Sequence, residues 1–301
     1  MSQSTVSREP IAAAYAGVAL AVAAVSTSAV LVRLATAPAP VIATYRLAFA
    51  VALMAPVVLG WHRQALRRVS PRDLGLCLIA GVFLAFHFVA WFESLALTTV
   101  ASSTVLVTLQ PLFAFVGTWL LFGERLPLPA LLGGVLAIMG SGIIGWGDLR
   151  IAGEAFTGDA LALFAAMLIS AYFMVGQSVR QRLDLMPYTF LVYGMATAVL
   201  LVYDLAQGHA LGGYPTADWV IFLAMAVGPT LLGHSILNWS VKWVGASVIA
   251  VAILFEPVGA SALAYAVLGE VPVATQYAGG AVILLGIGIF MHFRVGRGRT
   301  R

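Results

Sequence analysis

The stretch SLALTTVASSTVLVTLQPLFAFVGTWLLFGERLPLPALLGGVLAIMGSGII, residues 94–144, returns in outline as NWSVKWVGASVIAVAILFEPVGASALAYAVLGEVPVATQYAGGAVILLGIGIF, residues 238–290. At an offset of 146, Gln110-Pro111 falls on Glu256-Pro257 and Gly123-Glu124 on Gly269-Glu270. Gly133-Gly134 likewise falls on Gly279-Gly280, and Gly140 and Gly142 on Gly286 and Gly288. Upstream, Pro40 and Pro187 open matching segments, with Arg33 and Arg180 each seven residues earlier. The chain therefore contains two copies of one unit.

Working outward from the repeat, the rest of the chain has the same apolar character. Of 301 residues, 61% are hydrophobic and 9% charged, and the mean hydropathy is +1.00. A soluble domain carries about 25% charged residues, so soluble enzymes, nucleic-acid modules and disordered chains are excluded. A spanning helix takes about 20 apolar residues. Ten such runs are present: 11–34, 41–61, 73–96, 101–122, 129–147, 158–179, 187–206, 217–241, 246–268 and 272–293. The reading is an all-α membrane protein of ten transmembrane helices. The connections are too short to hold a soluble domain. The first run reads as a signal-anchor helix, since no cleavage site follows it.

Orientation follows from Lys and Arg. With the N-terminus in the cytoplasm, 13 of the 16 basic residues fall on that side: Arg8, Arg63, Arg67, Arg68, Arg72, Arg125, Arg180, Arg182, Lys242, Arg294, Arg297, Arg299 and Arg301. Asp148, Glu154, Asp159, Asp204, Asp218 and Glu270 fall outside. Both termini are then cytoplasmic. The Arg-rich loop 62–72 and the tail 294–301 read as topology determinants, with anionic lipid as the other reading. Each copy, 11–147 and 158–293, holds five helices. Five is odd, so the second enters from the opposite face and the halves are inverted. Many secondary transporters have this architecture, with substrate bound near the midplane between the repeats.

Residues 94–144 and 238–290 resemble the hallmark halves of EamA-type permeases of the drug/metabolite transporter superfamily. The shared pattern is a mid-helix Pro, Gly-Glu thirteen residues later and a Gly-rich helix, and the resemblance spans essentially the whole chain. It implies a ten-helix inner-membrane carrier that exports amino acids or other small metabolites by alternating access. One departure is Val271-Pro272 where the first half has Arg125-Leu126.

Several residues could carry the chemistry. Pro111, Pro257 and Pro229 are either packing kinks or bends facing a central cavity. Glu256 lies about 15 Å from the cytoplasmic end of its helix at 1.5 Å per residue, where an acid costs about 2.5–3.5 kcal/mol. It reads as a proton-coupling site or a partner for a substrate amine, or else as a neutral structural acid. Gln110, its repeat mate, would be a polar lining residue. Arg46 and Glu93 lie at similar depth on consecutive helices and read as an ion pair, either structural or a gate. His87 and Trp91 share a helical face at i, i+4, as do His234 and Asn238 in the other half. They are either hydrogen-bonded structural residues or cavity lining, with His87 as a second proton carrier. Tyr172, Ser26, Ser28 and Trp239 are weaker lining candidates.

Other motifs carry nothing. Gly140-x-Gly142-x-x-Gly145 matches a dinucleotide fingerprint, but no strand precedes it. With Gly133-Gly134 and Gly279-Gly280 it reads as a small-residue packing surface. The sequon Asn238-Trp239-Ser240 lies near the end of a span. Cys77 is the only cysteine, and no metal or cofactor site is visible. The partners are then a small-molecule substrate and the bilayer, with no nucleic acid, and a monomer is plausible. The other readings are an uncoupled facilitator, a non-transporting receptor and an intramembrane enzyme. The last would need a nucleophile with a base or a metal constellation, and neither is found.

Overall fold

The computed structural model describes residues 9–122, 127–151, 153–234, 236–237, 240 and 252–295, and all regular structure among them is helical. The elements are α1 (Glu9–Leu34), α2 (Ala39–Trp61), α3 (Arg63–Arg67), α4 (Pro71–Leu97), α5 (Val100–Val107), α6 (Gln110–Phe122), α7 (Leu128–Ile151), α8 (Gly153–Val179), α9 (Leu185–Ala206) and α10 (Thr216–Met225). A π-helical segment, Ala226–His234, follows α10, and α11 (Glu256–Leu268) and α12 (Ala274–Val295) complete the order. Seven helices among the described residues are long and apolar enough to cross a membrane, and three shorter apolar ones accompany them.

Helix ends follow local chemistry. Ser70 caps α4 by accepting from the Asp73 amide at 3.1 Å, with Pro71 in the first turn. Such a cap satisfies one of the orphan amides of a helix start. Thr99 caps α5 in the same way through the Ser102 amide, at 3.1 Å. At the end of α11, Gly269 takes φ +69° and its amide returns to the Tyr265 carbonyl at 3.1 Å. This left-handed cap favours glycine because it has no Cβ to clash.

Three of the ten expected runs are not continuous α-helices. Run 101–122 is broken at Thr108 and Leu109, between α5 and α6. The described part of run 246–268 is broken at Leu254 and Phe255, just before α11. The two breaks are repeat mates, each one residue ahead of the Gln110-Pro111 or Glu256-Pro257 pair. The prolines thus do more than kink their helices, because each sits in the first turn of a new one, where its missing amide costs nothing. At Pro229 the solution differs. Its absent N–H would have bonded the Met225 carbonyl, and the Thr230 hydroxyl donates to that oxygen instead, at 2.8 Å. The segment continues in π register, a form that tends to mark functional positions.

The packing shows the internal symmetry. α4 packs on α8, and α1 packs on the π segment. Exchanging the two halves converts one contact into the other. α2 packs on α9 and α7 on α12, each of which maps onto itself under the same exchange. α7 and α12 approach so closely that a Cβ at Gly140 would lie 2.7 Å from the Gly279 carbonyl oxygen, and one at Gly133 would lie 2.6 Å from the Phe290 nitrogen. The small-residue surface expected for these glycines is where the two helices meet.

Several acids cluster at one end of the bundle, where they accept from backbone and hydroxyl donors. Asp218 accepts from the Thr36 amide at 3.1 Å and hydroxyl at 2.8 Å, and Glu270 from the Val100 amide at 2.8 Å. Asp159 accepts from the Thr98 hydroxyl at 3.1 Å, while Arg33 donates to the Leu95 carbonyl at 2.6 Å. Asp204, with no exposed surface, accepts from Thr44 at 2.7 Å and pairs with His209 at 2.9 Å. Asp204→Ala should leave Thr44 without that acceptor and cost about 1–3 kcal/mol. A melting temperature equal to wild type would show that this network adds no stability. At the other end, Arg182 donates to Asp73 at 3.0 and 2.5 Å. Arg182 is 47% exposed, so the pair is screened by solvent and Asp73→Asn should produce only a small shift on thermal melting.

Candidate functional site

The centre of the bundle is built around Arg46, which is only 2% exposed. Its Nε donates to the Thr230 hydroxyl at 2.7 Å and its Nη1 to the Ser28 hydroxyl at 2.9 Å. The guanidinium lies 4.4 Å over the Phe88 ring and 5.9 Å from Phe92. One side chain thus ties α1, α2, α4 and the π segment together. The expected pair with Glu93 does not form among the described residues. The reason is angular: Phe88 and Phe92, at i and i+4, are the α4 face that meets Arg46. Glu93 is one residue further round, at 100° per residue, and is half-buried.

Four titratable side chains lie in the electrostatic field of Arg46: Glu256, Tyr193, His87 and His234. The register of the repeat explains the set. The offset of 147 that maps Pro40 onto Pro187 also maps Arg46 onto Tyr193 and His87 onto His234. Glu256 is the mate of Gln110. Two pairs of equivalent positions and one member of a third therefore converge, and each half contributes one ionisable group of opposite sign, Arg46 and Glu256. Glu256 influences Arg46 without forming an ion pair with it.

The other predicted residues divide around this centre. His87 is buried, with Nδ1 2.9 Å from the Ala165 carbonyl of α8. It stacks on Trp91 at 5.9 Å and 23°, so the shared face is real. Trp91 is also buried, and its Nε1 has no hydrogen-bond partner among the described residues. His234, at the end of the π segment, is exposed, and Asn238 and Trp239 lie outside the described residues. Tyr172 is half-buried in α8 beside Phe173. Ser28 serves Arg46 directly.

Ser26 donates to the Val22 carbonyl at 2.8 Å and the Glu256 carbonyl at 3.3 Å. Ser170 of α8 does the same in the other half, to Ala166 at 2.7 Å and Gln110 at 2.6 Å. At each break, a serine on the first helix of the opposite half thus holds the new helix by its first carbonyl. Ser170, Thr230 and Tyr193 were not singled out from sequence. Extending the repeat register to polar residues would have found Tyr193. Beside Ser26 an apolar groove of about 980 Å³ runs between α1 and α11, lined by Val22, Thr27, Phe255, Gly259 and Leu263. No cluster of His, Cys, Asp or Glu able to hold a metal occurs among the described residues.

This arrangement sets a buried cation among rings and hydroxyls, in the field of an acid from the other half. The EamA-like transporter family matches the chain twice, over residues 12–146 and 156–291. A pseudopaline exporter of Pseudomonas aeruginosa is 28% identical over 278 residues, covering 89% of this chain and 93% of that protein. An uncharacterized transporter of Archaeoglobus fulgidus is 25% identical over 222 residues, covering 74% of this chain and 78% of that protein. A solved crystal structure aligns with a TM-score of 0.63 over 93% of this chain and 97% of its own, at 18% identity. That last likeness concerns the fold alone.

Proposed function

Since the chain belongs to the EamA-like transporter family, we propose that it is a secondary transporter exporting amino acids or amphipathic organic compounds from the cytoplasm by alternating access. It is a multi-pass membrane transporter and not an enzyme. The observation that carries the finer reading is the convergence on Arg46 of residues from both halves: its own repeat mate Tyr193, the equivalent pair His87 and His234, and Glu256. A site shared by two inverted halves is what alternating access around a fixed centre requires. The broken helices at Gln110 and Glu256 add to it, since discontinuous helices line the substrate sites of inverted-repeat carriers.

In this reading both termini are cytoplasmic and the membrane is the inner (plasma) membrane, as the distribution of basic residues favours. The acid-rich end is then the outer face. Its network of Arg33, Thr98, Asp159, Asp218 and Glu270 holds that face closed. Glu256 couples export to proton entry, with His87 behind it. The groove beside Ser26 suits the apolar part of an amphipathic substrate.

The test is flux. Everted vesicles containing the protein should accumulate labelled amino acids when acidified inside, and vesicles lacking it should not. Accumulation unaffected by a collapsed proton gradient would favour the facilitator. The absence of protein-dependent flux for amino acids and amphipathic amines alike would end the exporter reading.

A further inference from the structure

Arg46 raises a question that its structural contacts do not answer. A guanidinium offers five N–H donors in a planar fork. Its hydrogen bonds among the described residues are those of Nε to Thr230 and Nη1 to Ser28, and Nη2 makes none. Both acceptors are neutral hydroxyls, and no carboxylate pairs with the group among the described residues. A buried cation is normally paired. A residue needed only to staple four helices together would not require a charge.

We propose that Arg46 is the anchor for a carboxylate of the transported molecule, with Nη2 and the free face of the fork forming the anion site. The proposal rests on the exporter reading and narrows its substrate to carboxylates, above all zwitterionic ones. Four observations support it. Thr230, Ser28 and the Phe88 ring fix the fork from three sides, so little ordering remains when a ligand binds. Thr230, directly after the one proline of the π segment, is held by the Met225 carbonyl and presents its hydroxyl oxygen to Nε. Tyr193, the repeat mate of Arg46, carries no charge, and the repeat mate of Glu256 is the neutral Gln110. The cation and the acid are therefore each supplied once, on opposite halves, as an amino acid's two charged groups require. Finally, a single guanidinium matches the one negative charge of a carboxylate. A phosphate carries about 1.5–2, and Arg33 and Arg182 are committed at the ends of the bundle.

The decisive measurement is the melting temperature of the purified full-length protein with each of the twenty proteinogenic amino acids and with the corresponding amino-acid amides. A ligand that binds only the folded state raises it. At least one acid should stabilise wild type, and its amide should bind on the order of a hundredfold more weakly. Arg46→Gln should lose the acid's effect, and Arg46→Lys should keep part of it. The comparison of acid with amide needs no variant and holds even if Arg46→Gln fails to fold. Amides as effective as acids, acid stabilisation that survives in Arg46→Gln, or stabilisation by no acid would each overturn the assignment. Carboxylate-selective binding without flux in vesicles would leave the Arg46 site standing and remove the exporter. Equal flux of acids and amides would do the reverse.

Discussion

Glu256→Gln should fold normally and lose transport by a factor of about thirty to several thousand. Removing one partner of a buried charge interaction costs about 2–5 kcal/mol, and each 1.4 kcal/mol is tenfold. The substitution is nearly isosteric and installs the side chain that the first half already carries at the equivalent position, Gln110. It also removes an acid that costs about 2.5–3.5 kcal/mol at this depth in the bilayer, so folding has no reason to suffer. The α11 start depends on the Glu256 carbonyl, which accepts from Ser26 at 3.3 Å, and on Pro257, and neither changes. Loss of rate with an unchanged melting temperature therefore assigns the side chain to transport. Two further readouts separate its roles. If Glu256 carries the coupling proton, residual flux in Glu256→Gln should no longer respond to the pH gradient across the vesicle. If it only holds a substrate amine, the gradient dependence persists while apparent substrate affinity falls. Wild-type rate and wild-type pH dependence together would remove Glu256 from the site.

The repeat, the membrane setting and the apolar helices could be read from the chain because they rest on one-dimensional signals: period, run length and charge position. Pro111 and Pro257 marked the positions of the breaks, but apolar residues resume directly after Gln110-Pro111 and keep run 101–122 long enough to span, so a complete break looks the same as a kink. The Arg46–Glu93 pair failed for a related reason. Depth along a helix can be counted from its ends, whereas the direction of a side chain depends on rotation about the axis. Rotation is set by packing: Phe88 and Phe92 take the face of α4 towards Arg46, and the π segment brings up Thr230 from the other half. No local pattern around Gly228-Pro229 announces that register. The His87–Trp91 stack was legible because both residues lie on one helix at a spacing that fixes their relative rotation.

The same distinction decides the prediction with the largest effect on folding. Gly286 and Gly288 both coincide with glycines of the first half, Gly140 and Gly142, and the sequence treats them alike. In the structure they differ completely. A Cβ at Gly286 would lie 2.5 Å from the Ala137 nitrogen, 2.6 Å from the Gly133 carbonyl oxygen and 2.9 Å from the Ala137 Cα, all backbone atoms. No rotamer change can relieve that contact, so α7 and α12 must move apart. The close approaches at Gly133, Gly140 and Gly279 lie in the same interface and would open together. Overpacking costs about 1–3 kcal/mol where side chains can yield. Here backbone atoms resist, and helices in lipid associate largely through such packing, so Gly286→Val should exceed that range and yield no monodisperse protein on size exclusion. Nothing lies within 4 Å of a Cβ at Gly288 or Gly142. Alanine at either position should be neutral or raise stability by up to about 1 kcal/mol, because glycine is the poorer helix former. A folded, active Gly286→Val beside a misfolded Gly288→Ala would mean that the two helices do not meet along the Gly133–Gly140 face.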